Sequence, residues 1–186
     1  MPEGLRADAR ANHDRLLEVA AAAFAEEGPN TSLKAVAARA GVGIGTLYRR
    51  FPSREDLIEA VYRSETDRLS TAASTLLAEL PPVDSLRAWM ESFVDYMTTK
   101  RGMSDALPAI LASRDGLRAH SRDALASAVT ALIEAGRASG DVRADADPAD
   151  VLMAVGGITL ISAHEGQRDL ASRLIDLLLG GLLARD

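Results

Sequence analysis

An all-α fold is what this chain predicts, on three observations. Apolar residues recur at three- and four-residue steps, no segment alternates apolar and polar residues as a half-buried strand would, and the periodic segments are separated by glycines and prolines. No internal repeat or low-complexity run interrupts the pattern, and alanine is spread through the periodic segments.

The first helix is read over residues 12–27, with Leu16, Leu17, Ala20, Ala21 and Phe24 on one stripe and Gly28-Pro29 as its stop. Among the leading residues, Arg6, Arg10 and Arg15 are interleaved with Glu3, Asp8 and Asp14, so they read as a solvated terminus in preference to a basic arm. Thr31 or Ser32 is placed to cap a second helix, whose Leu33, Val36, Ala37 and Ala40 are apolar at helical spacing. Gly41 then supplies the left-handed residue that a tight helix exit requires, and Val42 follows as an apolar plug.

Ile44, Leu47 and Phe51 give the next short helix an apolar face, directing Leu47 and Phe51 inward and leaving Tyr48, Arg49 and Arg50 outside. Two helices around a glycine turn, the second with a basic outer face, read as a helix-turn-helix. The G-x-G-x-G spacing of Gly41, Gly43 and Gly45 also suggests a dinucleotide loop, but such a loop follows a strand, and AVAARA before it is helical. After Pro52, Ser53 and Asp56 form an S-x-x-D capping box opening a long helix through Leu57, Ile58, Val61 and Tyr62.

These residues resemble the tetracycline-repressor (TetR) family of bacterial transcriptional regulators. The resemblance rests on Phe24 and Gly28, Val36-Ala37, Ala40-Gly41-Val42, Thr46-Leu47-Tyr48-Arg49-Arg50-Phe51 and Arg54-Glu55-Asp56-Leu57, about the first third of the chain. It implies an N-terminal three-helix bundle with a helix-turn-helix DNA-binding domain over 1–52, then a helical effector-binding and dimerisation domain over 53–186. Thr46, Tyr48 and Arg50 would touch DNA backbone or nearby base edges, Ile44 and Gly45 would form the tip of the recognition helix, and Arg49 would meet a phosphate. Arg54, where the family commonly has lysine, would hold another phosphate. Ser32 and Lys34, opening the preceding helix, complete the DNA-facing set. Most of these side chains position the duplex, and Arg50 is the best reader, since a bidentate arginine on guanine is worth about 1–3 kcal/mol of discrimination.

The net charge of −6 comes from 21 Lys and Arg against 27 Asp and Glu, and the acidic excess falls beyond residue 63. Around the turn, Lys34, Arg39, Arg49, Arg50 and Arg54 cluster, and local placement decides DNA contact. With no cysteine, disulfides and thiolate metal sites are excluded. The polar start suggests no signal peptide, and the expected location is the cytoplasm.

Beyond Tyr62 the helices break at Pro81-Pro82, Arg101-Gly102, Asp115-Gly116 and across 140–148, where Asp147-Pro148 with Asp150 reads as a strong helix opening. The last two helices, over 151–161 and 170–183, are apolar on two faces, too short for a membrane span and rich in small residues. Gly156, Ile161, Leu174, Leu178 and Leu182 are therefore candidates for an interface with a second copy. Twofold symmetry would pair two recognition helices with an inverted-repeat operator in double-stranded DNA. Trp89, Phe93, Met97, Met103 and His120, with Met90 and Tyr96 nearby in sequence, are candidates for an effector pocket, although such clusters also form ordinary core.

No catalytic motif emerges: His13, His120 and His164 are scattered, His164-Glu165 alone is weak, and no metal or cofactor is expected. The reading is a homodimeric DNA-binding regulator, a repressor released by a small-molecule effector. The alternative is a helical protein-interaction module that uses its apolar C-terminal helices and binds no DNA.

Overall fold

The computed structural model describes residues 3–162 and 167–184, with side chains from Ala11 onward. It is all-α as expected, in chain order α1 (Glu3–Glu27), a 3-10 turn (Gly28–Asn30), α2 (Leu33–Arg39), α3 (Ile44–Arg50), α4 (Arg54–Glu79), α5 (Pro82–Gly102), α6 (Leu107–Ser113), α7 (Leu117–Ser139), α8 (Pro148–Ile161) and α9 (Arg168–Leu182). Among the described residues the β-type pairing is one isolated antiparallel bridge, Val142 with Leu183. No described helix is long and apolar enough to cross a membrane.

Local chemistry sets most helix ends. At α4, the Ser53 N–H donates to Asp56 Oδ2 at 3.1 Å and Ser53 Oγ receives the Asp56 N–H at 3.1 Å, the reciprocal capping box read from sequence. At α8, Asp147 Oδ1 accepts the Ala149 N–H at 2.7 Å with Pro148 in the first turn. Asp147→Ala should cost about 1 kcal/mol, a melting shift of roughly 2–4 °C followed by circular dichroism, and Asp147→Asn should restore most of it.

Two local readings come out differently. Helix α1 starts at Glu3, well before residue 12, because alanine-rich polar turns favour helix yet leave no apolar stripe to read. Ser32 holds the N-cap of α2 without a side-chain bond, while the Thr31 hydroxyl lies 2.7 Å from the Gly28 carbonyl and 3.1 Å from that of Ala23.

The chain forms two compact units, neither continuous in sequence: residues up to Glu65 with Thr98–Leu117, and Thr66–Met97 with the chain from Arg118 onward. The first is built on Leu16, Ala20, Phe24, Val36, Leu47, Leu57 and Ile58, all buried. The end of α5 lies so close to α1 that a Cβ on Gly102 would stand 1.8 Å from the Phe24 carbonyl oxygen. In the second unit the indole of fully buried Trp89 donates to the Leu69 carbonyl at 2.9 Å, and Phe93 packs between Trp89 and Tyr96. Arg168 pairs with Asp95 and Glu91, and Arg87 with Asp176, tying α9 to α5.

Candidate nucleic-acid interface

The turn between α2 and α3 closes as a Schellman motif. Gly41 has φ +69°, its N–H donates to the Ala38 carbonyl at 3.1 Å, and the Val42 N–H donates to the Ala37 carbonyl at 2.9 Å. The Ala40 carbonyl accepts a 2.6 Å bond from Arg15 Nη2 of α1. Helix α2 therefore ends with its Ala37, Ala38 and Ala40 carbonyls engaged, and the direction in which α3 leaves is set by backbone hydrogen bonds.

Leu47 is fully buried and Phe51 nearly so, anchoring α3 from behind. With about 100° between successive residues, Gly45 and Arg49 point away from that anchor, Thr46 and Arg50 lie on one flank, and Ile44 and Tyr48 on the other. All six are exposed, Tyr48 by 48% and Ile44 by 39%. Arg49 Nη2 donates to Thr46 Oγ1 at 3.0 Å, which holds the guanidinium along the outer face. Ser32 and Lys34 are exposed at the start of α2. At the far end of α3, the His13 ring stacks on Phe51 with centroids 5.6 Å apart. Burial, and secondarily the charge of Arg50, holds the His13 pKa below its ordinary value, with Asp14 opposing.

Two cations of the sequence cluster are turned elsewhere. Arg39 pairs with Glu26 at 2.8 Å and Glu27 at 3.3 Å. Arg54 faces inward: it donates to the Thr31 carbonyl at 2.5 Å and the Pro29 carbonyl at 2.8 Å, pairs with Asp105 at 3.4 Å and covers the Phe24 ring at 5.2 Å. Arg54 thereby clamps the start of α4 to the turn after α1. Sequence reasoning missed it because those partners are far away in the chain. It also missed Arg15, read as part of a solvated leader.

The pocket candidates fall in both compact units. Trp89 and Phe93 are buried and Met97 half-buried in the second unit, while Met103 is buried in the first. His120 is exposed, 3.9 Å from Asp67. Of the interface candidates, Ile161 is 64% exposed, Gly156, Leu174 and Leu178 are half-buried, and Leu182 is buried in its own chain. Met153 and Leu160, which sequence reasoning did not name, and Leu177, one of the leucines it counted on the last helix, are exposed by 75%, 70% and 73%. His164 lies outside the described residues.

The family model described as bacterial regulatory proteins, tetR family, matches residues 16–61, and that of the transcriptional regulator SbtR-like C-terminal domain matches residues 81–184. An HTH-type transcriptional regulator of Staphylococcus aureus is 41% identical over 64 residues, a match spanning 34% of this chain and 35% of that protein. The TetR transcriptional regulator SCO0520 of Streptomyces coelicolor is 48% identical with a TM-score of 0.87, covering 93% of this chain and 99% of the other. A TetR regulatory protein of Mycobacterium vanbaalenii is 32% identical with a TM-score of 0.77, covering 97% and 99%. At 22% identity and a TM-score of 0.67, LfrR of Mycobacterium smegmatis, solved with proflavine, shares the fold over 96% of this chain and 99% of its own.

Proposed function

Because this chain belongs to the TetR family of bacterial transcriptional regulators, we propose that it is a homodimeric repressor that binds an inverted-repeat operator and leaves it when a small molecule occupies the second region. The observation that carries the DNA half is the α3 arrangement: Leu47 and Phe51 are buried behind a helix whose Gly45, Thr46, Tyr48, Arg49 and Arg50 are exposed. The division of labour is DNA binding over 1–52 and effector binding and dimerisation over 53–186, with the protein acting in the cytoplasm. Arg54 serves this interface by positioning, since its guanidinium is held by main-chain carbonyls.

Dimerisation is supported by the outer faces of α8 and α9. Met153, Leu160, Ile161 and Leu177 are large, apolar and exposed, with Gly156, Leu174 and Leu178 beside them along the helices, and a second copy would remove that area from water. Effector binding is supported by the aromatic cluster of Trp89, Phe93 and Tyr96 on α5, and Phe93 and half-buried Met97, next along the helix, are the residues to probe. An effector acts here only by preferring a conformer whose paired recognition helices are wrongly spaced for DNA.

The test is selection of bound genomic fragments, then fluorescence anisotropy on the selected duplex with an Arg50→Ala/Tyr48→Phe variant. One inverted repeat should be preferred, and the variant should bind it about 10- to 100-fold more weakly at moderate salt. Equal, negligible binding to every fragment would remove the regulator and favour the protein-interaction module. A monomer by light scattering at micromolar concentration would remove the dimer.

A further inference from the structure

The flank of α3 that carries Thr46 and Arg50 does not end in open surface. Between it and α1 lies an open cleft of about 510 Å³ whose rim holds Arg15, Arg49, Arg50, Asn12 and Thr46. Among the residues whose side chains are described, no carboxylate lines it, although the whole chain is acidic. Leu16 and Val42 contribute apolar surface to the same lining. Three guanidiniums around one concavity focus positive potential at its mouth, and low-dielectric walls strengthen that focusing. Arg15 spends one donor on Ala40, and a guanidinium has five, so it can hold the turn and still face an anion.

We propose that this cleft seats a backbone phosphate of the bound duplex, which makes Asn12 and Arg15 of α1 part of the DNA interface. The assignment rests on the regulator reading above. A helix lying in the major groove has a sugar–phosphate strand along each side, and the strand on the Thr46 and Arg50 side runs over the cleft. The two flanks of α3 are then chemically unlike: Ile44 and Tyr48 meet one strand with apolar and aromatic surface, and the cleft meets the other with charge.

Asn12→Asp places a carboxylate in the cleft from an exposed helical position, so folding should be untouched; Ala22→Asp, exposed elsewhere on α1, adds the same charge away from it. On the selected duplex, Asn12→Asp should weaken binding about tenfold and flatten the salt slope by about one, while Ala22→Asp changes affinity less than about twofold. Pyrophosphate should displace the duplex from the wild type more than sodium chloride of equal ionic strength does, and should lose that advantage in Asn12→Asp. Equal binding by the two variants overturns the proposal. Pyrophosphate sensitivity confined to the wild type, with duplex affinity unaltered in Asn12→Asp, overturns it too by assigning the cleft to a free anion. A wild type that prefers no duplex overturns the regulator reading; the arginine Nε–H resonances under pyrophosphate then decide the cleft, movement in the wild type alone keeping the phosphate seat and no movement removing it.

Discussion

Gly102→Ala should lose about 3–5 kcal/mol of stability, a drop in melting temperature of roughly 6–20 °C. Helix propensity alone predicts the opposite sign, since alanine is the better helix former by about 1 kcal/mol. Packing overrides it: the added Cβ would stand 1.8 Å from the Phe24 carbonyl oxygen and 2.5 Å from its carbonyl carbon. Both are main-chain atoms of α1, so no side chain can swing aside and one helix must back away from the other. Gly45→Ala is the control. It lies inside α3 with nothing within 4 Å of its Cβ position, and without DNA it should be neutral or more stable by up to about 1 kcal/mol. A Gly102→Ala protein melting as the wild type does would mean α5 and α1 are not packed backbone to backbone.

The second large effect is expected at Arg54. Its guanidinium bonds two carbonyls of the turn after α1, pairs with Asp105 and lies over Phe24, with its side chain 23% exposed. Hydrogen bonds from a charged donor are worth about 1.5–3 kcal/mol each, and partial exposure reduces that, so Arg54→Ala should cost about 2–4 kcal/mol. Arg54→Lys keeps the charge but not the planar fork, and should recover about half of the loss, about 1–2 kcal/mol remaining. Duplex affinity should weaken in both, because the turn that Arg54 grips lies at the entry to α2. Stability equal to wild type in Arg54→Ala, with only DNA binding impaired, would return the residue to a phosphate contact.

The contrast between these residues shows what could be read from the chain. Gly41, the Ser53 and Asp56 box, and Asp147 with Pro148 were legible because cause and effect lie within five residues of one another. The anchoring of α3 by Leu47 and Phe51 was legible for a similar reason, as periodicity reports which face is buried. Arg54 and Arg39 read simply as cations near the turn, since their carbonyl and carboxylate partners come from distant segments. Gly102 looked like a helix break, and nothing in Arg101-Gly102 reveals that another helix's backbone presses on it. Burial of Trp89 and exposure of His120 likewise depend on tertiary packing, which residue type does not record.

The discontinuity of the first compact unit bears on how this protein can be cut and recombined. Asp105 reaches Arg54, Arg114 reaches Asp56 and Glu59, Lys100 lies over Tyr62, and Gly102 fits against Phe24. A fragment ending after residue 65 would forfeit all four. Anyone grafting this helix-turn-helix unit onto a different partner domain would have to carry 98–117 along as a second splice, or engineer a replacement for the surface those residues cover. A chimera joined at a single point inherits the helix-turn-helix without its buttress.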